Sequence, residues 1–349
     1  MYKLKTILWK VDNVIDDFSQ IQAAAALLKE NEVVAFPTET VYGLGANAKS
    51  DDAVRKIFEA KGRPSDNPLI IHIANQKQIE ELVEQIPPVA QQLMDAFWPG
   101  PLTLIFRKKG GLSQVATAGL DTVAIRMPDH PVAHAIIEAA GLPIAAPSAN
   151  LSGKPSPTTA QHVEKDLSSR ISGIVDGGET GVGVESTVVD CTEEIPIILR
   201  PGGVTKEQIQ DVIGEVKEDQ ALHNITEAPK SPGMKYTHYA PEATFILLDG
   251  SKEFIQRMID DKKATGARVG ILTTKEREHD YSADEVIVCG SRQQLSTVAA
   301  GIYDALREFN EREVDVIFGE TFSREGIGDA IMNRLVKAAG HTILKEEKN

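Results

Sequence analysis

Two cations stand two residues apart in the stretch from Lys61 to His72, beside a glycine and two prolines. Glycine and proline both disfavour regular helix, so the spacing predicts a stiff, exposed loop that follows a helix and precedes the apolar run 69–71. That run predicts a buried strand ending at His72. Lys61 and Arg63 on such a loop suit the binding of a polyanionic ligand such as a nucleoside triphosphate. A solvated pair on a surface turn explains the same residues equally well.

A second polar segment, residues 37–48, follows a predicted strand over 32–36. It collects hydroxyls, a carboxylate, a tyrosine and two glycines at the end of a strand, where open α/β sheets place ligands. The glycines mimic a dinucleotide-binding pattern, but the run begins Pro-Thr-Glu-Thr instead of turning directly into a helix. We therefore expect a ligand loop of another kind. Asp51 or Asp52 then caps a helix that leads to Lys61.

Two further strand ends carry polar groups. Arg126 ends a predicted strand over 122–126, where an arginine can bind a carboxylate in bidentate fashion or simply form a surface salt bridge. A predicted strand over 143–146 runs into residues 147–158, which are rich in Ser, Asn and Thr. This loop is not a P-loop, because Lys154 is followed by proline and the first glycine is missing. A ligand-binding loop and a plain flexible turn are both consistent with it.

Composition limits the class of protein. A length of 349 residues predicts two domains, and 25% charged residues are typical of a soluble globular chain. We expect no membrane span, because no apolar run approaches ~20 residues and the N-terminus lacks a signal-peptide layout. Cys191 and Cys289 form no zinc spacing, which fits a reducing cytoplasm. The net charge of -14 argues against tight binding of nucleic acid.

The composition changes over residues 219–243, which show little hydrophobic periodicity and contain three prolines. Two tyrosines, a histidine and a lysine between 235 and 239 favour a segment that docks over a bland tether. Beyond it, apolar runs alternate as strands (245–248, 269–272, 286–288, 314–318) and helices (254–259, 298–309, 330–338). This alternation predicts a smaller parallel α/β domain.

Several separated motifs together resemble a known family. The segments 37–44, 61–72 with its Lys-x-Arg, and 147–150 with its Ser-x-Asn are similar to the YrdC-type domain of L-threonylcarbamoyladenylate synthase. The segments 231–241 and 326–335 resemble the longer, two-domain Sua5 form of that family. The resemblance implies an α/β fold, with a YrdC-like twisted, mostly parallel sheet around an open cavity and a smaller Rossmann-like α/β domain. It places the catalytic domain at 1–215, a linker that acts as an active-site lid at 216–243, and the Sua5 domain at 244–349.

The resemblance also implies a reaction. L-threonine, bicarbonate and ATP, with Mg2+ held mainly through the ATP phosphates, give L-threonylcarbamoyl-AMP and pyrophosphate. The product serves a separate transferase complex that modifies adenosine 37 of tRNAs reading codons that begin with A. The catalytic residues it implies are Lys61 and Arg63. The wider set it implies for ATP is Lys61, Arg63, Asn67, Thr122, Ala146, Ser148, Asn150, Ser156, Arg200 and Tyr239, and for L-threonine it is Thr40, His72, Arg126 and Ser186, with Arg126 on the carboxylate.

Two alternative functions stay open at this point. One is an RNA-binding module, against which the overall acidity and the missing aromatic stacking motifs count. The other is the carbamoyl-transfer role that a YrdC-type domain plays within hydrogenase-maturation proteins. Those chains also carry cysteine-rich zinc segments, for which two isolated cysteines do not suffice.

Overall fold

The computed structural model of the chain describes residues 4–219 and 239–347. Contacts divide the chain into two compact units, one of Met1–Ser152 with Ser156–Lys235 and one of Gly153–Pro155 with Tyr236–Asn349. Within the described ranges, every helix is too short or too polar to cross a bilayer.

Over residues 4–219, a sheet of eleven strands forms the centre of the first unit, in the spatial order β1-β8-β2-β3-β7-β4-β6-β5-β9-β10-β11. The bounds in chain order are β1 (Ile7–Lys10), β2 (Val34–Phe36), β3 (Gly43–Asn47), β4 (Ile70–His72), β5 (Leu102–Arg107), β6 (Thr122–Arg126), β7 (Ile144–Ala145), β8 (Gly173–Asp176), β9 (Thr187–Asp190), β10 (Ile197–Arg200) and β11 (Lys217–Glu218).

The strand directions correct one expectation. Five neighbouring pairs are parallel and five are antiparallel, so this sheet is mixed and not mostly parallel. Short connections explain the difference, because β2–β3 and β9–β10 are joined by too few residues for a parallel crossover. The α/β class itself is confirmed. Lys217 and Glu218, at the start of the expected linker, pair with β10 as part of this sheet.

Six α-helices among the described residues cover the two faces of the sheet. Alternating residues of β2 show how: Val34 and Phe36 pack in one apolar cluster, while Ala35 packs in the other. This two-residue period sends successive side chains to opposite faces. The helices are α1 (Phe18–Lys29), α2 (Asp51–Lys61), α3 (Pro88–Phe97), α4 (Pro131–Ala140), α5 (Ala160–Leu167) and α6 (Lys206–Ile213).

Two local details differ from the sequence expectations. Ser50 caps α2 by accepting a hydrogen bond from the Ala53 N–H, whereas Asp51 and Asp52 lie in the first turn, where they favour the helix dipole. Within the expected ligand loop 37–48, Gly43–Asn47 forms the strand β3. A Cβ atom on Gly45 would lie 2.5 Å from the Phe36 ring, so this glycine serves close packing between strands.

The second unit confirms the predicted small parallel domain. Between residues 239 and 347, five strands lie in the order β14-β13-β15-β12-β16, and every neighbouring pair is parallel. Strand β16, like β1 in the first unit, has no counterpart in the sequence predictions. The bounds are β12 (Thr244–Asp249), β13 (Val269–Thr273), β14 (Glu285–Val288), β15 (Val316–Glu320), β16 (Ile343–Lys345), α7 (Lys252–Ala264), α8 (Leu295–Glu308) and α9 (Ile327–Ala338).

Candidate active site

Lys61 is the last residue of α2 and is buried, with only 3% of its surface exposed. Gly62 ends the helix in the left-handed conformation (φ 61°), which glycine adopts without steric cost. The Lys61 ammonium donates to the backbone oxygens of Ser148 (2.5 Å) and Asn150 (2.7 Å). The expectation that Lys61 lies exposed on a loop is therefore wrong. Its hydrogen bonds hold the Ser-x-Asn loop against the end of α2.

The rest of this cluster is also organised by hydrogen bonds. The Ser148 hydroxyl donates to the Asn150 side-chain oxygen (2.6 Å), so the two Ser-x-Asn side chains lie together. Arg63, half-buried, lies 5.8 Å from the centre of the Phe58 ring and donates over a long 3.4 Å to the backbone oxygen of Asn67. The helix end and the loop thus bring together the Lys-x-Arg and Ser-x-Asn motifs that the sequence separates by more than 80 positions.

Arg126 lies at the carboxyl end of β6 with only 4% of its side chain exposed. Its guanidinium donates to the Thr40 hydroxyl (2.9 Å) and to the Gly100 backbone oxygen (3.3 Å). Its Nη2 lies 2.7 Å from a carboxylate oxygen of Glu39. This is a buried arginine and not the surface salt bridge that the sequence left open.

His72 ends β4 directly beside Arg126 in the parallel register. Burial, followed by the nearby Arg126 charge, lowers the pKa of His72 to about 3. The imidazole is therefore neutral at physiological pH, and it can contribute hydrogen bonds and shape but no positive charge.

Ser186 joins the two predicted sets of residues. Its hydroxyl lies 2.7 Å from that of Thr103, and the Arg200 guanidinium donates to the same hydroxyl (3.2 Å) and to the Ser186 backbone oxygen (3.1 Å). In the neighbouring position, Glu185 accepts a hydrogen bond from the buried Ser156 hydroxyl (2.6 Å). Arg200, expected on ATP, thus contacts Ser186, expected on threonine, while Ser156 contacts the residue next to Ser186 in the chain.

The remaining predicted residues lie at different places. Thr122 begins β6 and Arg126 ends it, so their backbones are separated by ~13 Å along the strand. Ala146 is buried just after β7, with its N–H bonded to the Ile70 oxygen. Tyr239 is a buried part of the second unit, with its ring centre 5.1 Å from that of Tyr303. The expected lid residues Lys235, Tyr236 and His238 lie outside the described residues.

Three polar residues that the sequence analysis assigned no role belong to these clusters: Glu39, Thr103 and Glu185. A threonine inside the apolar strand β5 was a usable signal, because a polar side chain with 0% exposure needs a partner. Glu39 was visible as the only carboxylate of the Pro-Thr-Glu-Thr run. Across the described residues, no group of three or more His, Cys, Asp or Glu side chains could hold a metal ion.

A surface groove of about 680 Å³ lies elsewhere in the first unit, between α1 and α4. Its lining is largely apolar and includes none of the residues predicted to bind ATP or threonine. The groove therefore lies apart from the ends of α2, β4 and β6, where Lys61, His72 and Arg126 are found.

Two family models match the chain. The one named Sua5_yciO_yrdC and described as "Telomere recombination" matches residues 26–202, and "Threonylcarbamoyl-AMP synthase, C-terminal domain" matches residues 204–340. Among curated relatives, threonylcarbamoyl-AMP synthase of Bacillus subtilis is 62% identical over 347 residues, covering 98% of this chain and 100% of the relative. That of Pyrococcus abyssi is 48% identical over 345 residues, covering 97% and 99%.

Solved structures agree with these matches. P. abyssi Sua5 complexed with L-threonine superposes with a TM-score of 0.93 at 48% identity, over 98% of this chain and all of that one. Escherichia coli YciO, at 23% identity and a TM-score of 0.52 over 57% of this chain, shares the fold of the first unit. The chain therefore belongs to the threonylcarbamoyl-AMP synthase family, in its two-domain Sua5 form with a YrdC-like domain and a C-terminal Sua5 domain.

Proposed function

We propose that this chain makes L-threonylcarbamoyl-AMP from L-threonine, bicarbonate and ATP, with release of pyrophosphate. The observation that carries this proposal is the presence of two organised cationic clusters in one unit. One, around Lys61, suits phosphates, and the other, around the buried Arg126, suits a small carboxylate. Similarity to a relative crystallised with L-threonine supports the second assignment.

The chemistry needs two bond-forming steps. Threonine, as its ammonium form, and bicarbonate give a carbamate, water and one proton. A carbamate oxygen then attacks the α-phosphorus of ATP, and the bond from that phosphorus to the pyrophosphate oxygen breaks. Neither step needs a covalent protein nucleophile, so positioning and charge neutralisation supply the catalysis.

Lys61 and Arg63 neutralise the triphosphate and the departing pyrophosphate in this proposal. The burial of Lys61 against two carbonyl oxygens holds its ammonium in a fixed place, which avoids reorganisation during the reaction. Mg2+ would be held through the ATP phosphate oxygens, which are usual ligands of this ion, and would neutralise part of their charge. The residues that surround the nucleotide in this proposal are Asn67, Thr122, Ala146, Ser148, Asn150, Ser156 and Arg200.

Threonine is held by Arg126 through its carboxylate, with Thr40, His72 and Ser186 around the rest of the molecule. Neutral His72 adds no second positive charge beside Arg126, so the site suits one carboxylate and not a dianion. The product then passes, in the cytoplasm, to the transferase complex that modifies tRNA. The chain itself carries a net charge of -14, which gives it no general attraction for RNA.

A covering role for residues 216–243 is part of this proposal, and it rests on the sequence alone. Carbamate–phosphate anhydrides hydrolyse readily, so the reaction benefits from exclusion of water. We expect Tyr239→Ala to release more free AMP per intact adenylate than the wild-type chain does, as measured by rapid chromatography. Equal ratios in both proteins would show that the segment only connects.

Pyrophosphate release with each of the twenty amino acids, ATP and bicarbonate tests the proposed function. We expect release that depends on both threonine and bicarbonate. Release that is independent of bicarbonate, or equal for all amino acids, would overturn the proposal. A salt titration of RNA retention on filters separates the RNA-binding alternative, which requires tight, salt-sensitive binding.

A further inference from the structure

Glu39 carries a buried carboxylate that lacks donors. Its side chain is 13% exposed, and no hydrogen bond from the described residues reaches either of its two oxygens. The Arg126 Nη2 atom, 2.7 Å from one of them, forms an ion pair, but its N–H does not point along the contact and is itself without an acceptor. Buried carboxylates normally accept several hydrogen bonds, so this pair is incomplete.

The missing partners have a specific chemistry. Glu39 needs N–H donors and Arg126 needs an acceptor, and the two needs arise at adjacent atoms. An α-amino acid zwitterion supplies both, because its ammonium has three donors and its carboxylate lies one carbon away. A substrate with a carboxylate alone would complete Arg126 and leave Glu39 without donors.

We propose that Glu39 binds the ammonium group of threonine and accepts the proton that this group must lose before it can attack. This inference rests on the proposed function and adds a catalytic residue to it. One proton moves from nitrogen to a Glu39 oxygen, and the neutral amine then forms the C–N bond of the carbamate. Overall, ammonium and bicarbonate yield carbamate, water and that one proton, so atoms and charge balance.

The charged and titratable groups around Glu39 agree with this role. Arg126 faces it from β6, His72 lies beside Arg126 on β4, and His130 lies at the start of α4, close enough for Glu39 to influence its pKa. Burial lowers the pKa of both histidines, more than Glu39 and Asp129 raise that of His130. Both imidazoles are therefore largely neutral at pH 7.5, which leaves Arg126 as the one cation among these groups.

The first experiment compares two ligands on the unmodified protein. Calorimetry at pH 7.5 measures binding of L-threonine and of (2S,3R)-2,3-dihydroxybutanoate, in which a hydroxyl replaces the amine. We expect threonine to bind about 10- to 100-fold more tightly, because a charge-assisted bond to a buried carboxylate is lost with the analogue. Equal affinities would overturn the proposal whether or not any variant folds.

The second experiment uses Glu39→Gln, which keeps the shape and removes the charge, with Glu138→Gln on the exposed face of α4 as the matched control. We expect threonine binding to weaken about 10- to 100-fold while the analogue is nearly unaffected. The variant's rate of adenylate formation should rise about tenfold per pH unit between pH 7 and 8.5, because solvent must now deprotonate the amine. The wild-type rate should change far less over that range.

Two results would assign Glu39 a different role. Equal weakening of both ligands would mean that it only orients Arg126, and unchanged affinity and pH profile would mean that it has no part in the reaction. Product formation by the wild-type protein distinguishes a failure of the proposed function from a failure of the role proposed for Glu39. A wild-type protein that makes no threonylcarbamoyl-AMP overturns the proposed function itself, whereas normal wild-type synthesis with an unaltered Glu39→Gln variant overturns this inference alone.

Discussion

Each unit of the molecule buries a glutamate beside arginine, but the two glutamates are satisfied differently. In the second unit, Glu320 accepts hydrogen bonds from Thr273 (2.7 Å), Arg277 (3.0 Å) and Arg292 (2.5 Å). In the first unit, Glu39 accepts none from the described residues. Glu320 is therefore part of a structural ion cluster, whereas Glu39 is the carboxylate on which we place the substrate ammonium.

The Glu320 cluster also shows how such a structural role is built. Glu320 and Thr273 end the neighbouring parallel strands β15 and β13, and the two arginines come from the segments that follow β13 and β14. Arg292 additionally lies 4.6 Å from the centre of the Phe322 ring. The cluster therefore connects the loops that follow the carboxyl ends of β13, β14 and β15.

The largest expected effect concerns the first unit, where we place the reaction, and is the loss of activity when Lys61 or Arg63 is replaced. Lys61→Ala and Arg63→Ala should each slow adenylate formation by at least about 100-fold, because a positioned charge on the transition state is lost (on the order of 3 kcal/mol). Lys61→Ala should also lower the thermal midpoint, since buried Lys61 holds two backbone oxygens. Lys56→Ala, also on α2 but paired with Glu32 away from these motifs, is the control. Near-normal turnover in either variant would refute the assignment.

For Glu320, to which we assign a structural role, we expect a loss of stability without a loss of threonine binding. Glu320→Ala should destabilise the second unit by about 3 kcal/mol, because it leaves two partly buried arginines without their carboxylate. Denaturant unfolding, followed separately for each unit where two transitions occur, measures this. Threonine affinity should stay unchanged. A loss of affinity like that expected for Glu39→Gln would erase the distinction between the two glutamates.

Substrate choice gives a smaller effect. Valine should be disfavoured against threonine by roughly 2 kcal/mol or more, because it leaves the polar groups that bind the hydroxyl unpaired. Serine keeps the hydroxyl and lacks one methyl, which costs only ~1 kcal/mol, so it should react weakly. Competition assays of pyrophosphate release measure both. If valine competes as well as serine, the first unit does not recognise the hydroxyl.

The smallest effect concerns pH and His72. Its pKa is about 3 in the folded chain and about 6.5 when unfolded, so the unfolded chain binds the extra proton. The contribution of His72 to the free energy of unfolding is therefore fully present above pH 6.5 and is lost as the pH falls toward 3. Between pH 7.5 and 5.5 the wild type should lose roughly 1 kcal/mol more than His72→Asn does. An identical loss in both proteins would mean that His72 is not buried as a neutral imidazole.

Local pattern predicted much of this fold. The strand predicted over 32–36 corresponds to β2, and the alternating runs of the C-terminal half identified three helices and four strands of the second unit. Short or exposed strands were missed: β1 and β16 have partly exposed side chains and no clear alternation, and β3 is masked by its glycines. Sheet direction depends on which strands meet, which no single segment encodes.

The site was predictable as residue types and not as contacts. The Lys-x-Arg and Ser-x-Asn motifs were found from spacing and resemblance, but the burial of Lys61 follows from where the loop at Ser148 folds. The incomplete pairing of Glu39 with Arg126 could not be read from the sequence, since it joins residues 87 positions apart and depends on N–H direction. Glu39 and Glu320 are the same residue type, and they differ in whether hydrogen-bond donors reach their carboxylates.

The most direct test of the account supplies the protein with ATP, L-threonine and 13C-labelled bicarbonate and identifies the adenylate by mass spectrometry. If Arg126 holds the threonine carboxylate while the amine reacts beside Glu39, the product is threonylcarbamoyl-AMP with one 13C atom, formed in equal amount to pyrophosphate. An adenylate without the label, in which the threonine carboxylate itself is joined to AMP, would contradict the account.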